Sequence, residues 1–274
     1  MFVEKTLDRI GNWVSRILEA ESSGYHPFTA SDPETLRNSL QPCDILLIEG
    51  NQKVAIAIKY LTQSTWSHAA IYVGGALGRQ KQGDEPLTLI ESNLGEGCVA
   101  VPLSKYASYN TRICRPVNLS KADRKKVIKF MVGALGTKYD TRNILDLARY
   151  LFPMPPVPQR WRRRMIALGS GTPTRAICSS LIAQAFQSVR YPILPSIAYI
   201  EHQGSAASTY GRAEILRIRH HSLFVPRDFD LSPYFRVVKP TLDGGFDYKQ
   251  LKWSEKGPGE GSIPVVGLDS DSRM

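Results

Sequence analysis

The sequence predicts an α+β domain in which a small antiparallel sheet packs against helices. Short β-rich runs, such as CDILLIE at 43–49 and LTLIES at 87–92, are bounded by glycine and polar turn residues. The helical segments stand apart from these runs instead of alternating with them, which argues against a doubly wound sheet. With 274 residues, 42% of them hydrophobic, the chain can bury a full core in one or two domains.

Taken in order, residues 1–20 carry Val3, Leu7, Ile10, Val14, Ile17 and Leu18 on one stripe, the pattern of an amphipathic helix. Residues 22–36 are turn-rich and polar and read as a linker or surface loop, so 1–36 form a helix-and-linker segment ahead of the main domain at 37–240. Within that domain Cys43–Glu49 reads as a strand. Asn51–Gln63 reads as a helix through Val54, Ile58 and Leu61. The stretch STWSHAAIYVG, residues 64–74, holds a buried strand starting at His68. A polar, Gly-rich loop at 75–86 leads to strand Leu87–Ser92, and a LGEG turn leads to Cys98–Val101. Ser120 and Asp123 form a capping box for a helix through Val127, Met131 and Leu135, stopped at Gly136. Further helices are expected at Thr141–Leu151 and Ile177–Ser188. Apolar stretches near 215–218, 222–225 and 234–238 would complete a sheet. Residues 241–274, rich in Gly, Ser, Asp and Lys, read as a flexible tail.

No apolar run approaches the ~18–20 residues that span a bilayer, and the N-terminus lacks the apolar core of a secretory signal. The four cysteines, Cys43, Cys98, Cys114 and Cys178, show neither CxxC spacing nor a Cys/His cluster, so neither a metal nor another cofactor is expected. A reduced, cytoplasmic setting follows, in which thiols stay free. The net charge of +10 points to an anionic partner or surface. Residues 138–166 hold seven basic side chains against two acidic ones, and the proline-rich insertion at 152–175 contains Arg160, Trp161, Arg162, Arg163 and Arg164. Arginines beside aromatics suit an acidic membrane surface, which would make the protein peripheral to the membrane, while a solvated basic loop is the plain alternative. The RWRRR run is too short for a nucleic-acid groove, and no nucleic-acid motif is present.

Three residues stand out chemically. Alone, a buried histidine is satisfied by one backbone hydrogen bond, and a buried cysteine is inert. But Cys178 opens a helix, AICSSLIAQAF, where free N–H groups and the helix dipole favour a thiolate. The apolar residues Leu181, Ile182 and Ala185 turn its face toward the sheet. The strands holding His68 and Glu91 are joined by one loop, so the two residues are expected roughly opposite each other in a hairpin. Paired, Glu91 would orient the imidazole, and His68 would hold Cys178 as a thiolate.

The ordered set PCDILLIEG, STWSHAAIYVG, LIESNLGEGCVAVPLSKY, LGTKYD and AICSSLIAQAF resembles the NlpC-type cysteine hydrolases. It is most similar to their circularly permuted, papain-like YiiX/YebB-like branch, in which the histidine precedes the cysteine. The likeness covers about residues 40–190. It implies a circularly permuted papain-like (NlpC-type) fold, with Cys178 as nucleophile, His68 as general base and acid, and Glu91 as the orienting third residue. Tyr139 falls at the family's cleft tyrosine, for substrate contact or packing. Ser67 and Ser179, next to the histidine and the cysteine, join it as substrate-binding positions. Asp44 matches a structural aspartate, and Cys43 departs from the family's usual glycine. The activity implied is a thiol-dependent amidase or esterase, or an acyltransferase, working through an acyl-enzyme. Its partner would be an amide- or ester-containing small molecule, peptide or lipid, with lipid-linked or acylated substrates at a membrane surface favoured. The rival reading is an inactive peripheral-membrane or anionic-ligand binding module on the same scaffold.

Overall fold

Four consecutive apolar residues, Ile45–Ile48, form a strand (β1) whose every side chain is buried. Alternation sends Ile45 and Leu47 to one face and Leu46 and Ile48 to the other, so a fully apolar run demands cover on both sides. The computed structural model describes residues 32–78, 83–93, 96–137, 177–200, 213–217 and 220–243, with Asp247 and Lys249.

The described elements are α1 (Pro33–Ser39), β1, α2 (Lys53–Thr62), β2 (His68–Tyr72), β3 (Leu87–Asn93), β4 (Gly97–Pro102), β5 (Thr111–Pro116) and α3 (Lys121–Gly133). They continue with α4 (Ile177–Gln187), β6 (Ser196–Ile200), β7 (Ala213–Arg217), α5 (Pro226–Leu231), β8 (Phe235–Val238) and α6 (Pro240–Asp243). The fold is α+β. Six strands form one open antiparallel sheet in the order β4-β3-β2-β1-β5-β8, and β6 and β7 pair separately.

α3 and α4 cover one face of the sheet, burying Val127, Met131, Ile182, Ala185 and Phe186 with Leu47, Ala69, Ile71 and Ile90. A smaller cluster on the other face joins Leu36 and Leu40 to Leu46, Ala70, Leu89, Leu103 and Tyr106. Each large side chain removed from water in this way contributes about 1.5–3 kcal/mol.

Several expectations need correction. Residues 33–36 belong to α1 and not to a linker. Asp32 caps the helix, its Oδ2 accepting the Thr35 N–H at 2.8 Å, and Pro33 sits where a missing N–H does no harm. Residues 222–225 are not a strand: His221–Leu223 form a 3₁₀ turn, and Pro226 starts α5. α3 ends at Gly133, before Leu135. The chain then turns at Gly136, with φ of +80°, and Gly136 and Thr137 exchange backbone hydrogen bonds with Cys98. The amphipathic helix at 1–20, the helix at Thr141–Leu151, the basic insertion and nearly all of the tail lie outside the described residues.

Asp44 is wholly buried and held by the Gln41 N–H (2.8 Å) and by Arg115, whose Nη2 and Nε lie 2.7 and 2.9 Å from it. A buried carboxylate is tolerable when paired in this way. Cys43, the departure from glycine, takes φ of +75°, the left-handed region that glycine enters freely.

Candidate active site

β1 and β2 pair antiparallel with Ile48 opposite His68, so the imidazole sits at the first residue of β2. The β2–β3 register sets Ile71 against Ile90 and Tyr72 against Leu89. Carried along the strands, it faces Ala70 with Glu91 and His68 with Asn93. His68 and Glu91 are therefore diagonal neighbours on one face, not direct partners, and still within reach of each other. His68 Nε2 lies 3.2 Å from Glu91 Oε2.

Cys178, second residue of α4, is buried with the cluster on the opposite face of the sheet. The imidazole bridges the two faces around the end of β2. With Nε2 directed to Glu91, Nδ1 is left for Cys178, whose sulfur and the imidazole each shift the other's ionisation. Ser179 Oγ lies 3.8 Å from the sulfur. Glu91 is fully buried, Cys178 is 5% exposed and the His68 side chain 21%, so solvent reaches the row through the imidazole.

The electrostatics favour an ion pair. Burial alone would discharge His68, but the Cys178 sulfur, and after it Glu91, outweigh burial and raise its pKa to about 10. Burial likewise opposes a Cys178 thiolate, yet the imidazolium, aided by Ala69 and Ser179, brings the thiol below its ordinary value. Against burial, His68 and then Lys105 hold the Glu91 carboxyl well below the usual carboxylate range.

Glu91 has more partners than the sequence suggests. Oε2 accepts from the Tyr106 hydroxyl as well as from His68, and Oε1 accepts from Asn93 Nδ2 at 2.9 Å and Lys105 Nζ at 2.5 Å. Asn93, Lys105 and Tyr106 lie within the stretch 89–106 that carries the resemblance, but nothing in the sequence gives them a role. Asn93 lies two residues on along β3, and Lys105 and Tyr106 arrive because β4 runs back along β3 and the 3₁₀ turn Leu103–Tyr106 folds over its end.

Of the other expected site residues, Ser179 is buried beside the sulfur. Ser67 is buried too, and its hydroxyl accepts the Gly50 N–H at 2.9 Å, a bond that ties down the β1–α2 loop and accounts for this serine without a substrate. Tyr139, Arg160, Trp161, Arg162, Arg163 and Arg164 lie outside the described residues. Among the described residues, no three His, Cys, Asp or Glu side chains are placed to hold a metal ion, and no helix is long and apolar enough to cross a membrane.

The pair makes a testable statement about stability. A raised His68 pKa stabilises the fold fully below the unfolded value of 6.5, and that contribution is lost as pH rises through about 10. A lowered Cys178 pKa acts oppositely: its contribution is present above 9.0 and lost as pH falls through the folded value. Between 6.5 and 9.0 the folded pair and the unfolded chain each hold one proton, so the two slopes cancel. Denaturant midpoints should thus be flat across that window and fall above it, where the unfolded thiol loses its proton and His68 keeps its own. A wild-type midpoint that declines from pH 6.5 upward would mean that the thiol keeps its proton.

No family model matches the chain, and no curated protein matches it. Among solved structures it is similar to the metalloprotein yiiX of Escherichia coli O157:H7. The TM-score is 0.42 at 14% identity, over 73% of this chain and 97% of that one.

Proposed function

We propose that this protein is a thiol-dependent hydrolase or acyltransferase, built on a circularly permuted papain-like domain, that cleaves an amide or ester through an acyl-enzyme. The observation that carries the reading is His68 held against buried Glu91 at 3.2 Å, with its charge coupled to the Cys178 sulfur at a helix N-terminus. A binding module has no use for a buried charge relay held at such desolvation cost.

In this mechanism the Cys178 thiolate attacks the carbonyl carbon, and the oxyanion forms near the free N–H groups of the first turn of α4. The His68 imidazolium then gives its proton to the leaving nitrogen or oxygen as the tetrahedral intermediate collapses to a thioester. Neutral His68 next takes a proton from water or an amine acceptor, which attacks the thioester and frees Cys178. Glu91 holds the ring with Nε2 toward itself and steadies the charge whenever the imidazole carries two protons. The arginine-rich, aromatic insertion favours acyl substrates presented on an acidic surface.

Incubation with short-chain p-nitrophenyl esters and acyl-amides, free or in acidic phospholipid vesicles, tests the reading by intact-protein mass spectrometry. A mass increase equal to the acyl group, mapped to Cys178 and absent from Cys178→Ala, is expected. Equal turnover by wild type and Cys178→Ala would remove the nucleophile.

A further inference from the structure

Glu91 receives His68 and Tyr106 on one carboxylate oxygen and Lys105 and Asn93 on the other. Both halves of that arrangement are needed, because a buried acid that depends on His68 alone loses its counter-charge each time the imidazole turns neutral. A carboxylate without a counter-charge in a dry site takes up a proton, and its pKa climbs. Tyr106 and Asn93 supply hydrogen bonds but no charge. The charged and titratable groups facing Glu91 from the packed elements are His68 on β2, Cys98 on β4, and Lys105 and Tyr106 on the 3₁₀ turn; Glu96 touches it only through the shared Asn93 amide. Among the described residues, Lys105 is the cation there whose charge does not come and go with the reaction.

We propose that Lys105 is a positioning residue that keeps Glu91 ionised in every protonation state of His68, and thereby sets the pH at which Cys178 becomes a thiolate. The inference rests on the reading of Cys178 and His68 as the reacting pair. Geometry supports it in two ways. Lys105 bonds Oε1, so it does not compete with His68 for Oε2. Its side chain is 39% exposed, so the ammonium keeps part of its hydration while touching an acid that has none. Leu103 and Tyr106, both buried, anchor the turn on either side and aim the lysine back along β3.

The test is the pH profile of Cys178 alkylation by iodoacetamide in wild type, Lys105→Met and Lys105→Arg, with circular dichroism to follow folding. Methionine keeps the apolar stem and removes the charge. The acid limb should then move up by about one pH unit, a roughly tenfold slower rate at a fixed pH on that limb, and arginine should restore most of the shift. A lysine that merely braces the turn would lower the denaturation midpoint and leave the profile in place. If Lys105→Met does not fold, Lys105→Gln serves in its stead. A charge-free variant whose profile superimposes on an activated wild type overturns the role of Lys105 and leaves the pair intact. A wild-type Cys178 with no reactivity on the acid side overturns the pair, and the proposal falls with it.

Discussion

At pH 6, iodoacetamide should alkylate Cys178 while Cys43, Cys98 and Cys114 stay unmodified. All four thiols are buried, so burial alone does not separate them. What separates them is the neighbour. Burial pushes Cys43 up to about 12 and Cys98 to about 11, raises Cys114 further, and sets no cation strong enough to reverse it. A thiol with a pKa near 11 is only ~10⁻⁴ thiolate at neutral pH, and the thiolate is the species that reacts. Cys178 has the imidazolium of His68 and the Ser179 hydroxyl beside it, and it is ionised well before the others. Peptide mapping after timed labelling reads the difference directly. Four thiols that label at similar rates below pH 7 would end the assignment of a nucleophile.

If Cys178 is the nucleophile proposed above, Glu91→Gln should slow its acylation by up to ~10⁴-fold, the scale seen when the orienting acid of a triad loses its charge. Glutamine has one acceptor oxygen and one amide donor, whereas Glu91 accepts four hydrogen bonds through two oxygens. Whichever way the amide is turned, its NH₂ group faces two donors: His68 with Tyr106, or Lys105 with Asn93. The imidazolium loses its support, the thiol regains its proton at neutral pH, and the acid limb of the alkylation profile moves up. His68→Ala should remove the limb altogether. Alkylation from pH 5 to 9 in the three proteins, with circular dichroism to verify folding, measures this. A Glu91→Gln thiol that titrates like the wild type would show that another acceptor orients His68.

How far the sequence reveals this arrangement depends on where each residue's partner lies. β2 and α4 are legible because their apolar residues are contiguous, and the cap of α3 because Ser120 and Asp123 are three apart, the serine Oγ accepting the Asp123 N–H at 3.0 Å. β5 is not legible. TRICRP puts two arginines into six residues, and their partners Asp44 and Asp230 are distant in the chain, so a strand beside the centre of the sheet reads as polar. α1 buries only Leu36 among its seven residues and so resembles a loop. At the site, Cys178, His68 and Glu91 are visible as unlikely residues in apolar surroundings. Asn93, two residues along the strand from Glu91, takes its meaning from the shared carboxylate, and Lys105 and Tyr106 are visible only once the β3–β4 hairpin and its closing turn are built.

The order of strands in the sheet bears on how the molecule assembles. β1 to β5 lie between residues 45 and 116 and pair among themselves, whereas β8, which pairs with β5, begins at Phe235 and α4 at Ile177. Short loops close at lower entropic cost than long ones, so the five early strands are expected to condense first, and with them His68, Glu91, Lys105 and Tyr106. The sulfur then docks against an electrostatic cradle that is already formed. During synthesis the growing chain carries the histidine and its acid for more than sixty residues before Cys178 emerges. Its thiol is therefore an ordinary one, slow toward passing electrophiles, until α4 seats. Pulse alkylation during refolding should show Cys178 gaining its fast rate only in the last kinetic phase, after the sheet signal is complete. Fast labelling in the first phase would mean that helix and sheet form together.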